Sequence, residues 1–326
     1  MRTLIAGANG FVGINLALRL LEGGHDVLLT YRSRFPEEFK GFLAKYGDRV
    51  AYGQGDLLDK NMYAQFDQYE IEGIINSAVM TSPDAAEQDY FISMAETNVM
   101  SNLNLLAYAA KRGIKRFVYV SSSGVYGDIG EPGTFVYEDG ELDLFNTYCI
   151  TKMTSERLTS KYGELFGAHV ASARIAAPYG QFERVTGSRF KMSALYTMVH
   201  KAKAGEEVVI YGEDYRRDWT YVDDTVEGIY RLYTAEKLSD TVYNVSFAQS
   251  ATIKEVAEAV KLANPNFKYR FTSNPEEADI VMDLDNQRGD LSVDRIRKDT
   301  GFEPRFDVKA GIKKYVDIVN SGVDNG

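Results

Sequence analysis

"TLIAGANGFVGINLALRLLEGG", residues 3–24, holds an apolar run, three evenly spaced glycines and an amphipathic stretch in direct succession. The run Thr3–Ala6 is short and apolar, as a buried strand is. "VGINLALRLLEGG" has the periodicity of a helix and ends in glycine. Between them lies "GANGFVG", with Gly7, Gly10 and Gly13. A strand that turns on glycine into a helix is an anion-binding geometry. The first glycine permits the tight turn, the second lets backbone approach a pyrophosphate, and the third lets helix and strand pack closely. The helix start then offers unpaired N–H groups to the phosphates. Gly7, Asn9, Gly10, Phe11, Val12 and Gly13 are therefore expected to hold a dinucleotide.

Outward from this stretch the pattern repeats. Strand-like runs occur at Val27–Thr30, Val50–Gln54, Gly73–Ala78, Phe117–Ser121 and Val170–Ile175, with helix-like stretches between them. One of these, "NVMSNLNLLAYAAKRG", sets Val99, Leu103, Leu106 and Ala110 on one helical face and ends at Gly113. Alternating strands and helices predict an α/β fold: a doubly wound parallel sheet (Rossmann) with a smaller C-terminal α/β substrate domain. The expected division is a dinucleotide-binding domain over 1–176, with the chain returning to it near 226–247, and a substrate-binding region over 177–225 and 248–326. In that second part a helix is expected over Arg189–Ala204, a strand over Val208–Tyr211, a buried strand in "TVYNVS" (241–246) and a helix in "TIKEVAEAVKLA". Ligands in such sheets bind at the carboxyl ends of the strands, so the chemistry should follow those runs.

Composition narrows the possibilities. The net charge of -10 argues against nucleic acid as a partner. No apolar run approaches the roughly 20 residues that a membrane span needs. A single cysteine, Cys149, excludes an internal disulfide and a cysteine-based zinc site, and His25, His169 and His200 are scattered, so no metal site is expected. The cytoplasm is the expected compartment.

Two chemical groups follow. "YCITK" sets Tyr148 and Lys152 four residues apart, on one face of a helix. An ammonium beside a phenol favours phenolate, which makes the pair an acid/base device. The spacing alone does not suffice, because Tyr233 and Lys237 share it on what reads as a surface helix. What sets Tyr148 apart is "FVYVSSSGVYG" upstream, where a strand-like run ends in Ser121, Ser122 and Ser123. A hydroxyl there can hold a substrate oxygen while Tyr148 moves its proton.

With "GDLLD" (55–59), "NSAVMTSP" (76–83), Asn98 and "RRDWTYVDD" (216–224), these pieces resemble, in order and over nearly the whole chain, the extended short-chain dehydrogenase/reductase family, the NAD(P)-dependent epimerase/dehydratase group. The resemblance implies that Asp56 and Leu57 lie near adenine, that Ser77, Ala78 and Asn98 contact the cofactor, and that Pro178 flanks the nicotinamide. It implies Ser122 as the residue that orients the substrate oxygen, with Ser123 beside it, Tyr148 as acid/base, and Lys152 as the residue that tunes Tyr148 and binds the nicotinamide ribose. Arg217 resembles an arginine that contacts a substrate diphosphate; a salt bridge with Asp218 or Asp223 is its alternative use. "QFERVTGSRFK" carries Arg184, Arg189 and Lys191, which either hold an anionic substrate or form a solvated loop. Relatives that pair helices equivalent to those around 98–112 and 148–163 imply a homodimer.

Two departures bear on the reaction. Dehydratases of the family carry Asp and Glu after the catalytic hydroxyl, where this chain has Ser123 and Gly124, so dehydration is rejected. Ala177 stands where many sugar-nucleotide enzymes have Asn. Three functions are weighed: epimerisation of a sugar or sugar nucleotide, net NADP-dependent oxidoreduction of a smaller polyol or sugar acid, and non-catalytic dinucleotide sensing, which the intact Ser122, Tyr148 and Lys152 disfavour. The small-molecule substrate itself is not named by the sequence. For the cofactor, "DVLLTYRSR" (26–34) is decisive. Tyr31 stands where NAD-preferring relatives have Asp, so nothing repels a 2′-phosphate; Arg32 and Arg34 either pair with it or, one or both, point into solvent. NADP is expected, with NAD as the alternative.

Overall fold

The computed structural model describes residues 2–81, 87–131, 133–186, 192–284 and 287–322. Its main sheet has seven parallel strands: β1 (Arg2–Ala6), β2 (Asp26–Tyr31), β3 (Val50–Gln54), β4 (Ile71–Asn76), β5 (Arg116–Ser122), β6 (His169–Ile175) and β7 (Val242–Val245). They lie in the order β7-β6-β5-β4-β1-β2-β3. Helices cover both faces, so the central strands are apolar without interruption, as in Leu4–Ala6, Val27–Leu29 and Phe117–Val120. The chain winds outward from β1 through β2 to β3, then crosses back to β4 on the other side of β1. That reversal opens a crevice at the carboxyl ends of β1 and β4. The Gly7 turn leaves β1 there, and Ser77 and Ala78 leave β4.

β7 returns the chain to the main sheet, with Val242 opposite Ser172 of β6. The remaining C-terminal elements build a three-stranded parallel sheet from Glu207–Tyr211, Lys268–Thr272 and Ile280–Val281, packed with the helices Ala194–Ala204, Ile253–Ala263 and Val308–Asn320. One buried apolar cluster runs from Ile5 and Leu16 through Val226 and Ile229 to Ile312 and Tyr315, so the two parts share a core.

Three expectations need correction. The helix Ser101–Arg112 does end at a left-handed Gly113, but Leu103 is 39% exposed and the buried face is Ser101, Asn102, Leu105, Leu106, Tyr108 and Ala109. A wide turn at Glu96–Met100 shifts the phase, and Asn102 is held inside by the Asn76 amide at 2.9 Å and by Thr159 at 3.3 Å. The helix expected from Arg189 starts at Ala194, with the Ser193 hydroxyl as its cap; residues 187–191 lie outside the described part. Tyr233 is fully buried, not on the surface.

Candidate active site

One cavity of about 960 Å³ follows the crevice. At one end it is lined by Tyr31, Arg32, Asp56 and Leu57, at its middle by Ser122, Tyr148, Lys152 and Pro178, and at the other end by Tyr215, Arg217 and Arg288. The glycine loop forms its wall at Gly7, Asn9, Gly10, Phe11, Val12 and Gly13, facing Ser77 and Ala78.

The three glycines are required for different reasons. Gly7 has φ +72°, and a Cβ there would sit 2.7 Å from the Ala78 Cα. A Cβ on Gly13 would sit 2.3 Å from the Gly7 carbonyl oxygen. Both are glycine because the protein's own backbone leaves no room. Around Gly10 a Cβ would meet only the Gly7 oxygen, at 3.2 Å, so the backbone is bare toward the cavity. No side chain caps the helix Phe11–Glu22 that starts there. A bare glycine at an uncapped helix start suits a dinucleotide pyrophosphate.

The reacting groups come from two elements. β5 ends in extended backbone at Ser122, whose Oγ accepts from the Gly124 N–H at 3.0 Å. The helix Thr147–Phe166 begins just before Tyr148. Asn146 caps it by accepting from the Cys149 N–H at 2.9 Å, and Glu87 accepts from the Thr147 N–H at 2.6 Å. One turn later, Lys152 is only 2% exposed. It donates to the Val120 carbonyl at 2.8 Å and lies 4.9 Å above the Tyr119 ring and 5.7 Å from the Tyr148 ring. Burial lowers its pKa to about 7, against the pull of the Glu156 carboxylate.

At the far end, Arg217 lies 5.6 Å from the Tyr215 ring and 6.0 Å from Trp219. Among the described residues it makes no ion pair. Asp218 accepts from Thr220 at 3.1 Å and Asp223 pairs with Lys314, so neither of the expected carboxylates takes it. Arg288 donates to the backbone carbonyls of Ser123 and Gly127. Burial, with Arg217 adding repulsion, lowers its pKa to about 10. Two guanidiniums side by side, held by carbonyls and rings, leave net positive charge for an anion.

The structure moves several expected residues away from the cavity. Ser123 starts a tight turn, Ser123–Tyr126, and is buried behind the wall. Asn98 is also buried behind it: its side chain spans the Met80 N–H at 2.8 Å and carbonyl at 3.0 Å, and so shapes the segment after β4 without lining the cavity. Arg34 is exposed and off the wall, because buried Phe35 turns the chain outward; its carbonyl accepts from the Asn9 amide at 3.0 Å. Arg184 lines the cavity from the glycine-loop side, where it donates to the Asn9 carbonyl and lies 4.5 Å over Phe39. The chain returns there because Gln181 is tied to Asn15 at 3.2 Å. Arg189 lies outside the described residues. Sequence reading missed Arg288 altogether. Its one signal is an arginine before glycine in "NQRGD", which no spacing rule marks.

The model of the NAD dependent epimerase/dehydratase family matches residues 3–246. A dTDP-glucose 4,6-dehydratase of Xanthomonas campestris is 25% identical, over 96% of this chain and 92% of its own. A probable UDP-glucuronate 4-epimerase of Rhizobium meliloti is 27% identical, over 97% of this chain and 96% of its own. Among solved structures, a Thermus thermophilus UDP-glucose 4-epimerase in complex with NAD superposes with a TM-score of 0.81 at 24% identity, covering 97% of this chain and 98% of the other.

Proposed function

The chain belongs to the NAD dependent epimerase/dehydratase family, and on that premise we propose that it epimerises a sugar nucleotide at a ring hydroxyl, using a nicotinamide dinucleotide that ends each turnover unchanged. The carrying observation is the single cavity that joins the glycine loop, the Ser122–Tyr148–Lys152 group and the Arg217–Arg288 pair. A nicotinamide dinucleotide held by the glycine loop, Ser77, Ala78 and Lys152 would supply reversible hydride transfer at the carbinol carbon, whose configuration inverts when hydride comes back to the other face. Ser122 holds the reacting oxygen, Tyr148 takes its proton and later gives it back, and Lys152 keeps the phenol's charge tolerable. Arg217 and Arg288 hold the diphosphate.

Epimerisation is favoured over the dehydration in the Xanthomonas relative's name. A side chain at position 124 would point at the Ser122 hydroxyl, 3.2 Å away, and at Tyr148, 3.5 Å away. Glycine there, with Ser123 turned into the wall, leaves no carboxylate on this turn to expel water. Ala177 favours a second reading, net oxidoreduction of a smaller hydroxyl compound. Incubation with UDP-glucose or UDP-glucuronate and catalytic dinucleotide separates them. Conversion without lasting change in reduced-nicotinamide absorbance supports the epimerase; stoichiometric reduction with a smaller alcohol or sugar acid, and none with the sugar nucleotides, overturns it.

NADP is the proposed cofactor, because Tyr31 and Arg32 line the adenosine end where a carboxylate would repel the 2′-phosphate. The Thermus thermophilus structure named above is a complex with NAD, so the NADP preference rests on this chain's residues. The exposed Phe91, Ile92, Met100, Leu103 and Ile150, on the four adjoining helical segments Glu87–Ala95, Glu96–Met100, Ser101–Arg112 and Thr147–Phe166, support a homodimer, which sedimentation at micromolar concentration checks. No helix among the described residues is long and apolar enough to cross a membrane. The buried free thiol of Cys149 fits work in the cytoplasm.

A further inference from the structure

Behind the reacting groups lies an ion pair that the proposed chemistry does not touch. Glu156 and Arg174 are 1% and 2% exposed, with the Arg174 Nη2 2.8 Å from Glu156 Oε2. The Arg174 Nε adds bonds of 3.0 and 3.2 Å to the two carboxylate oxygens. Burying such a pair costs more desolvation than a hydrophobic replacement would, so it is weak support for stability by itself. Its connections suggest another use. Glu156 lies one turn beyond Lys152 on the same helix, and its Oε1 also accepts from the Ser121 hydroxyl. Ser121 stands between Val120, whose carbonyl holds the Lys152 ammonium, and Ser122. One carboxylate therefore joins the helix that carries Tyr148 and Lys152 to the strand end that carries Ser122, and to β6 through Arg174.

We propose that Glu156 is a positioning residue for this site: its carboxylate keeps the Lys152 ammonium charged and sets the β5 end against the Tyr148 helix. The groups facing Lys152 bear this out. Its own helix brings Tyr148 and Glu156. β5 brings the Tyr119 ring and the Val120 carbonyl, both without charge. β6 brings Arg174 to the Glu156 carboxylate, with which it pairs. Glu156 is then the one anion among these that opposes the desolvation of Lys152. Arg174 is in turn fixed from behind by the Tyr126 hydroxyl at 2.8 Å and the Glu138 carbonyl at 3.1 Å, so the carboxylate cannot swing away.

The inference rests on the proposed acid/base role of Tyr148 and Lys152, and its test does not need the substrate. The full chain, labelled with 13C at lysine Cε, is titrated by NMR, and the Lys152 signal is identified by its loss in Lys152→Arg. Glu156→Gln should lower the Lys152 midpoint by about one pH unit, the effect of removing a nearby opposite charge. Because that variant leaves Arg174 buried without its partner, it should also unfold more easily. Glu156→Gln with Arg174→Met removes both charges and should regain thermal stability while the Lys152 midpoint stays low. An unmoved midpoint in either variant, or a midpoint that recovers together with stability, overturns the proposal and leaves the pair a structural one. Failure of the enzyme on every sugar nucleotide would leave this titration unaffected.

Discussion

Two tyrosines in this chain stand four residues before a lysine, and the fold treats them in opposite ways. Tyr148 opens a long helix at the cavity, and Lys152 follows on the same face, buried beneath the end of β5. Tyr233 is the penultimate residue of the helix Val222–Thr234, so Lys237 falls beyond the helix end and is exposed. The Tyr233 hydroxyl accepts from Thr3 Oγ1 of β1 at 2.8 Å, and burial pushes its pKa up to about 12. Spacing of four residues brings side chains together only while the helix lasts. The strand end beside the helix then decides whether the hydroxyl meets a ligand or the core.

The largest expected effect breaks the first pair. Tyr148→Phe removes the proton carrier and keeps the ring, so turnover should fall about a thousandfold with dinucleotide affinity little changed. Steady-state rates with the converted sugar nucleotide, beside dinucleotide titration, check this. Turnover within tenfold of the parent would end the assignment of Tyr148.

The arginines of "DVLLTYRSR" give the same contrast on a smaller scale. Arg32 lines the cavity and Arg34 does not, two residues apart in one exposed turn. Arg32→Ala should raise the KM for NADP about tenfold more than that for NAD, the loss of one charge-assisted contact to phosphate. Arg34→Ala should change neither by more than about twofold. Equal changes for both cofactors in Arg32→Ala would refute the proposed NADP preference.

These contrasts explain what could be read from the chain. The strands β1 to β6 were legible to within two residues, because strands buried on both faces are apolar runs bounded by turns. The glycine loop was legible because its three glycines answer to turn, ligand and packing. Polar burial was less so. Asn102 sits in the core because Asn76 and Thr159 wait for it, and periodicity cannot see partners on other elements. Arg288 and Glu156 were invisible for the same reason. One meets the turn after β5 from 165 positions away, and the other gains its meaning from Arg174 on the neighbouring strand.

The smallest effect belongs to the second tyrosine, and it is the sharpest control on the comparison. Tyr233 is packed so closely that a Cβ on Gly73 of β4 would sit 2.3 Å from its hydroxyl oxygen. The ring faces His25 edge-on, with centroids 6.2 Å apart, and Arg116 donates to its backbone carbonyl. Tyr233→Phe keeps this packing and removes one buried acceptor from Thr3, which should cost about 1 kcal/mol of stability. The rate at saturating substrate should stay as it was, because the residue lies under β1 and off the cavity wall. Chemical denaturation and steady-state kinetics on the same preparation separate the two quantities. If Tyr233→Phe lost turnover as Tyr148→Phe is expected to, the four-residue spacing itself would carry the chemistry, and the distinction between the two helices would fail.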